Sequence, residues 1–296
     1  MKKLKVIVSA LLVVVSIFAF TACGTFDGNF KEEATEEQLT QIKTAAGSSY
    51  SEKIEEEDGH GWIAKVNYNV ESARGDKSYK MSVKSESQTG VDKDKKAQYA
   101  VKSDITVNGK TLNTAMYGKD GDVYLKVGDK QAKAKTGLTG EIIKPDDLSC
   151  LDSIIAIANQ ALSYISVDGS VKVDTDMMKV YVDASGDTFK IKYVFTQKAI
   201  SGGYGDETNV TWNGSEQSVI VVYNKDLSEL KGIKVTANYG YSVESGDKAI
   251  SVTAKIDASV EATSKAVKYP NLSKYEDMKP SDLFDMSSEI MKFFGM

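Results

Sequence analysis

Arginine and histidine each occur once in this chain of 296 residues, as Arg74 and His60. With one guanidinium, bidentate clamps on phosphate or carboxylate are almost unavailable, and lysine serves only as a point charge. With one imidazole, in the turn-like Gly59-His60-Gly61, a hydrolytic triad has no plausible base, and the histidine reads as exposed. The two cysteines, Cys23 and Cys150, sit in contexts too different for a disulfide pair, and with one histidine they cannot build a zinc site. Proline is scarce, with three in all. Long hydrophobic runs are absent apart from Val6 to Phe20, and the mean hydropathy of −0.30 excludes a polytopic membrane protein. Positive charge is also in deficit. The formal net charge is −5, and removal of Lys2, Lys3 and Lys5 with an export signal takes it to −8. Such a chain repels nucleic acid and anionic headgroups, so neither is expected as a partner.

What the N-terminus does have is an export plan: Lys2, Lys3 and Lys5, then the apolar run. The run is shorter than the ~20 residues of a bilayer-spanning helix. It ends in Phe20-Thr21-Ala22-Cys23-Gly24, which resembles the bacterial lipoprotein box, where cleavage precedes a cysteine that takes a diacylglyceryl group. Phe20 stands where that box usually has leucine. The expectation is a signal peptide over 1–22, a lipidated tether over 23–33 starting at Cys23, and one domain over 34–296. Gly24 and the lysine-rich composition favour a Gram-positive cell, with the protein anchored to the outer face of its cytoplasmic membrane.

Beyond an acidic stretch whose Leu39, Ile42 and Ala46 predict a helix over 35–46, the period changes to two. Trp62, Ala64, Val66, Tyr68 and Val70 alternate with polar residues, and some five further strands follow, punctuated by Asn108-Gly109 and Asp120-Gly121. A second meander runs from Met178 to Val260, with Asn213-Gly214 read as another turn. Between the two lies Pro145 to Ile165, where Leu148, Leu151, Ile155, Ala158, Leu162 and Ile165 form one helical face. Ile154, Ile157, Ala161 and Tyr164 widen it. A last helix opens at Pro280-Ser281-Asp282, with Ser281 as its expected cap. Strands of ten or more residues cannot stay flat. The predicted fold is therefore mainly β (α+β): a curved antiparallel sheet forming an incomplete β-barrel wrapped around a central apolar helix, 145–165, in its concave face. A β-sandwich is the competitor, but it leaves that helix without a place.

The lipobox, the acidic tether, the meander containing Tyr117-Gly118-Lys119-Asp120-Gly121-Asp122-Val123-Tyr124, the mid-chain helix and the second meander together resemble the LolA–LppX-like lipoproteins. That resemblance implies a half-barrel plugged by helices, whose apolar hollow in family members accepts acyl chains or lipids. It also implies that some relatives act through protein partners in the envelope. It carries no functional residue across.

Chemistry is otherwise sparse. Asp174 and Asp176, like Asp92 and Asp94, lack the third ligand and glycine of a calcium loop. Gly202, Gly203 and Gly205 have no Walker lysine, and no carboxylate pair stands out for glycoside hydrolysis. No enzyme activity, metal or cofactor is expected. The remaining candidate site is the concave face. Its lining is expected from Trp62, Val66, Tyr68, Met81, Tyr99, Leu151, Ile155, Leu162, Phe189, Ile191, Tyr193, Val235, Tyr239, Val252 and Ile256. Either these residues pack on the helix as core, or helix and sheet leave a groove between them for a lipid tail. The two functions that follow are carriage of a hydrophobic ligand and non-catalytic binding of an envelope protein; a carboxylate-based hydrolase is a third.

Overall fold

A computed structural model of the chain describes residues 25–47, 49–50, 61–91, 97–135, 151–167, 171–201, 210–245 and 248–295. Cys23, His60, Asp92, Asp94, Cys150, the start of the expected central helix at Pro145 and the glycines at 202–205 lie outside them.

The first meander comprises β1 (Gly61–Arg74), β2 (Lys77–Val91), β3 (Ala97–Val107), β4 (Lys110–Lys119), β5 (Asp122–Val127) and β6 (Lys130–Lys135). Its turns use the residues that tolerate positive φ: Asn108 and Gly109 at 46° and 85°, Asp120 and Gly121 at 55° and 84°. The second comprises β9 (Met178–Asp183), β10 (Thr188–Phe195), β11 (Val210–Trp212), β12 (Glu216–Asn224), β13 (Leu230–Ser245) and β14 (Lys248–Thr263). All twelve strands form one curved antiparallel sheet in the order β6-β5-β4-β3-β2-β1-β14-β13-β12-β10-β9, with β11 also on β13. The two meanders join where β1 pairs β14 over the full length of β1. β6 and β9 end the sheet without pairing each other, so the barrel stays open. A separate small hairpin pairs β7 (Ile165–Val167) with β8 (Val171–Val173).

Asn213-Gly214 is not a hairpin turn. Trp212 pairs Tyr241 and Glu216 pairs Asn238, so β11 and β12 follow one another along the same partner with one extra residue between them. This is a bulge, with Gly214 taking a φ of 68° and Asn213 N–H donating to Gly240 O at 2.6 Å. A dipeptide that suits a turn also suits a bulge when the neighbouring strand runs on unbroken.

The helices α1 (Glu36–Ala46) and α2 (Leu151–Ser163) lie on one face of the sheet, here the inner face. Thr35 and Gln38 close a capping box on α1. α2 packs on β12, β13 and β14. It buries Ile154, Ile155, Ala158, Ala161 and Leu162, the stripe expected from the sequence. It stops at Ser163, however, and Ile165 opens β7 instead of extending the helix. Lys43 Nζ donates to Leu162 O at 2.9 Å, placing a cation at the negative end of α2. The C-terminal α4 (Pro280–Phe294) follows the short α3 (Gln197–Ser201) and buries Met286 and Ile290. Its cap is not Ser281: Pro280 fixes the first helical position, so Lys279 is the cap residue and its N–H donates to Asp282 Oδ2 at 2.6 Å.

Both open edges are covered by terminal segments. At the N-terminus, Thr25 bonds Glu261, and Phe26 is buried over Gly232, where an added Cβ would stand 3.0 Å from the Phe26 ring. Lys190 donates to the Asp27 carbonyl, and Asn29 N–H donates to Asp183. Glu33 then bridges Tyr181, and Ala34 N–H donates to Val180 O at 2.8 Å. So the segment expected as a tether is bound to the sheet from Thr25 onward. At the C-terminus, Gln88 holds the carbonyls of Lys265 and Ala266, and Tyr269 and Tyr275 stand edge-on to Tyr117. Lys133 N–H donates to Glu276 O and Met278 N–H to Lys133 O, so residues 276–278 run along the β6 edge. Each strap crosses the outer face, lines an edge and ends in a helix.

Unpaired strand edges template association. Deleting residues 25–34 should bare the β9 edge and raise the mass seen by light scattering with increasing concentration. A variant as monodisperse as the intact chain would show that the strap protects nothing.

Candidate functional site

The inner face holds two kinds of surface. Beneath α1 and α2 lies the main core, where Trp62, Val66, Ile155, Leu162, Phe189, Ile191, Tyr193 and Val235 all pack. Tyr50 and Tyr193 share a 2.7 Å hydroxyl–hydroxyl bond there, both wholly buried. Of the expected lining, these residues are buried core. Tyr99 belongs to a second cluster with Val101, Met116 and Val123 over β3–β5. Its ring crosses Gly118, where a Cβ would stand 2.1 Å from it. Leu151 begins α2, but its side chain is outside the described residues. Between these clusters the face is not greasy throughout, because Ser85 and Ser103 are buried and bonded to each other at 2.8 Å.

The second surface is the far end of the long strands. β13 and β14 have 16 residues each, about 53 Å at 3.3 Å per residue, whereas the 13 residues of α2 span about 20 Å. Among the described residues, one end of the face therefore carries no helix. Tyr68 and Ile256 mark the border, half-buried and packed against the core. Beyond it the register builds a grid: Met81, Val70, Ala254 and Tyr239 in one row, then Tyr79, Ser72, Val252, Tyr241 and Trp212. A further row holds Ile250, Val243 and Val210. Tyr79 is 38% exposed, and most of the others are half-buried. Five strands and about three row spacings make a field of roughly 20 by 19 Å, near 400 Å². That is within the range of patches that commonly carry function.

Tyr68, Met81, Tyr239, Val252 and Ile256 of this field belong to the expected lining. Val70, Tyr79, Trp212, Tyr241, Val243 and Ile250 do not. The signal for those six was strand length, since their strands run well past any helix able to cover them.

Several tyrosines are shifted upward. Burial, then the neighbouring Tyr241, raises Tyr68, and burial raises Tyr239, whose hydroxyl donates to Gln217 at 2.6 Å. Burial and then Tyr275 raise Tyr117 to about 12. Burial holds Tyr50 and Tyr193 well above the usual phenol range.

Three grooves are lined by described residues. One of about 470 Å³ lies on the outer side around Glu71, Lys80, Thr106 and Lys255. A second of about 350 Å³ borders the C-terminal strap at Gln98 and Tyr269, and a third of about 720 Å³ runs between α1 and the turn at Lys225–Ser228. None of these three touches α2. Among the described residues no three His, Cys, Asp or Glu side chains gather as a metal site. Asp174 accepts from Asp176 N–H in a local turn, and Asp176 pairs with Lys198 at 2.9 Å.

No family model matches the chain, and no curated protein does. Among solved structures, LprF from Mycobacterium bovis is similar at 11% identity and a TM-score of 0.34, covering 81% of this chain and 99% of that one.

The shifted tyrosines set an alkaline limit. A phenol whose folded pKa exceeds its unfolded value near 10 stabilises fully below that pH, and the contribution is lost as pH rises through the folded value. The urea midpoint should hold to about pH 10 and fall steadily above it. A midpoint equal at pH 8 and pH 11 would contradict the burial of these hydroxyls.

Proposed function

We propose that this chain is a non-catalytic lipoprotein, anchored through Cys23 to the outer face of the cytoplasmic membrane of a Gram-positive cell. In this reading it binds an acyl-chain ligand along the helix-free end of its inner face. One observation carries it: the contiguous field of half-exposed aliphatic and aromatic side chains from Tyr68 and Val70 across Val252 to Tyr241. Leaving such an area open to water costs about 25 cal/mol per Å², and an apolar ligand recovers that. The field lies beside α2, whose inward residues Ile155, Ala158 and Leu162 are buried in the core. Tyrosines suit such a margin, apolar in the ring and polar at the tip.

Lipid co-purifying with the chain from its host, identified by mass spectrometry, is the direct test. Val252→Lys puts a charge in the middle of the field on an already half-exposed position. It should cut bound lipid by about tenfold while changing stability by less than about 1 kcal/mol. Lipid retained at wild-type stoichiometry would move the site elsewhere.

A second reading, docking of an envelope protein, is favoured by the N-terminal half of α4, where Leu283 is 52% and Phe284 71% exposed. Replacing both with serine should abolish capture of such a partner and leave lipid content unchanged. Capture that survives the double substitution would remove this reading.

A further inference from the structure

Among the described residues, three large apolar side chains stand exposed, and they fall on two surfaces. Tyr79, at 38%, belongs to the helix-free field, and Leu283 and Phe284, at 52% and 71%, belong to the start of α4. Within one chain the two surfaces lie on different strands. α4 packs on β4, β5 and β6, while the field spans β2, β1, β14, β13 and β11.

Their charges are opposite. At the mouth of the field the inward register runs into Arg74, Lys77 and Lys248, with Arg74 opposite both Lys77 and Ile250. No aspartate or glutamate shares that end of the register among the described residues. Glu71 and Glu244 stand on the outward register, and Asp76 lies in the β1–β2 turn. Arg74, the only guanidinium of the chain, has no ion pair with a described residue, and neither has Lys77. α4 has the reverse balance, with Asp282, Asp285 and Glu289 against Lys292. Of the cations near its start, Lys279 precedes the helix and Lys130 already faces Asp285 at 3.5 Å. Guanidinium and carboxylate match in shape, and complementary charge sets the orientation in which two apolar patches meet.

We infer that the helix-free field takes the exposed start of α4 from a second copy of this chain, head to tail. Leu283 and Phe284 enter over Tyr79, Val252 and Tyr241, with Asp282 and Asp285 turned toward Arg74 and Lys77. The contact is heterologous, so each copy uses its field on one neighbour and its α4 on another. With a field near 400 Å², the two sides together bury at most roughly 800 Å², short of the ~1,200 Å² of a stable interface. The association is therefore weak, with a dissociation constant on the order of 10⁻⁴ M, and the chain is monomeric at micromolar concentration. This rests on the field being apolar and open, as the acyl-chain reading does, and not on lipid occupying it. It also gives the exposed start of α4 a specific occupant.

Sedimentation equilibrium of the chain from Gly24 onward, from about 10 μM to about 1 mM, brackets that constant and tests it. Two variants separate the halves of the contact. Val252→Glu puts a carboxylate in the field at a half-exposed position, and Leu283→Ser with Phe284→Ser strips α4 at exposed ones. The unsubstituted chain should gain mass past the dimer as its concentration rises. Each variant alone should stay monomeric. Their equimolar mixture should form a dimer and stop there, since one brings an intact α4 and the other an intact field. An unsubstituted chain still monomeric at the highest concentration overturns the inference and leaves the acyl-chain site, read by co-purified lipid, standing. Association that persists in either variant alone also overturns it, as does a mixture that stays monomeric while the unsubstituted chain associates. The unsubstituted chain gives the first answer even if a variant does not fold.

Discussion

A sheet that curls without closing is left with two rows of unpaired N–H and C=O groups, and that constraint organises both ends of this chain. Closure would have removed the rows, and a helix laid along each edge would have hidden them. Here the termini do it instead. Residues 33–34 bond the β9 edge and residues 276–278 the β6 edge, each after crossing the outer face. The same crossings bury Phe26 on one half and the Tyr117–Tyr269–Tyr275 ring cluster on the other, giving the outer face its own apolar anchors. Each strap then delivers a helix to the inner face, so edge protection and core formation are one continuous act of the chain.

A second constraint is a mismatch of lengths. A helix rises about 1.5 Å per residue and a strand about 3.3 Å, so a single helix in this sheet covers less than half of β13 or β14. The core forms where α1 and α2 reach, and it includes the wholly buried, hydrogen-bonded Tyr50 and Tyr193. Where they do not reach, the same period-two pattern continues over half-exposed positions. The strands are thus amphipathic over a longer distance than folding requires, and the excess is what makes a site conceivable.

The alternation of Trp62 to Val70, the Asn108-Gly109 and Asp120-Gly121 turns, the α1 boundaries and the buried stripe of α2 were all legible, because each depends on local spacing or on φ. Three features were not. Asn213-Gly214 reads as a turn until the unbroken β13 beside it shows a bulge. Ser281 reads as a cap until Pro280 takes the first helical position. The bed of α2 reads equally as core or as groove, because periodicity reports which side a residue faces and never whether the space opposite is full. Tyr193 and Tyr239 share one strand pattern type, yet one is sealed in the core and the other stands at its border. The straps left almost no trace in the sequence, since their contacts are backbone bonds and single rings such as Phe26.

The N-terminal strap also has a mechanical character. It runs from β14 to the β9 edge, attached at Thr25, Phe26, Asp27, Asn29 and Ala34. A pull on the N-terminus loads those attachments one after another, as in peeling tape, and the strand ladders behind them carry no tension until the last has gone. Tension would thus be dissipated in a sacrificial layer, and the first consequence of overload would be a bared edge on an otherwise intact sheet.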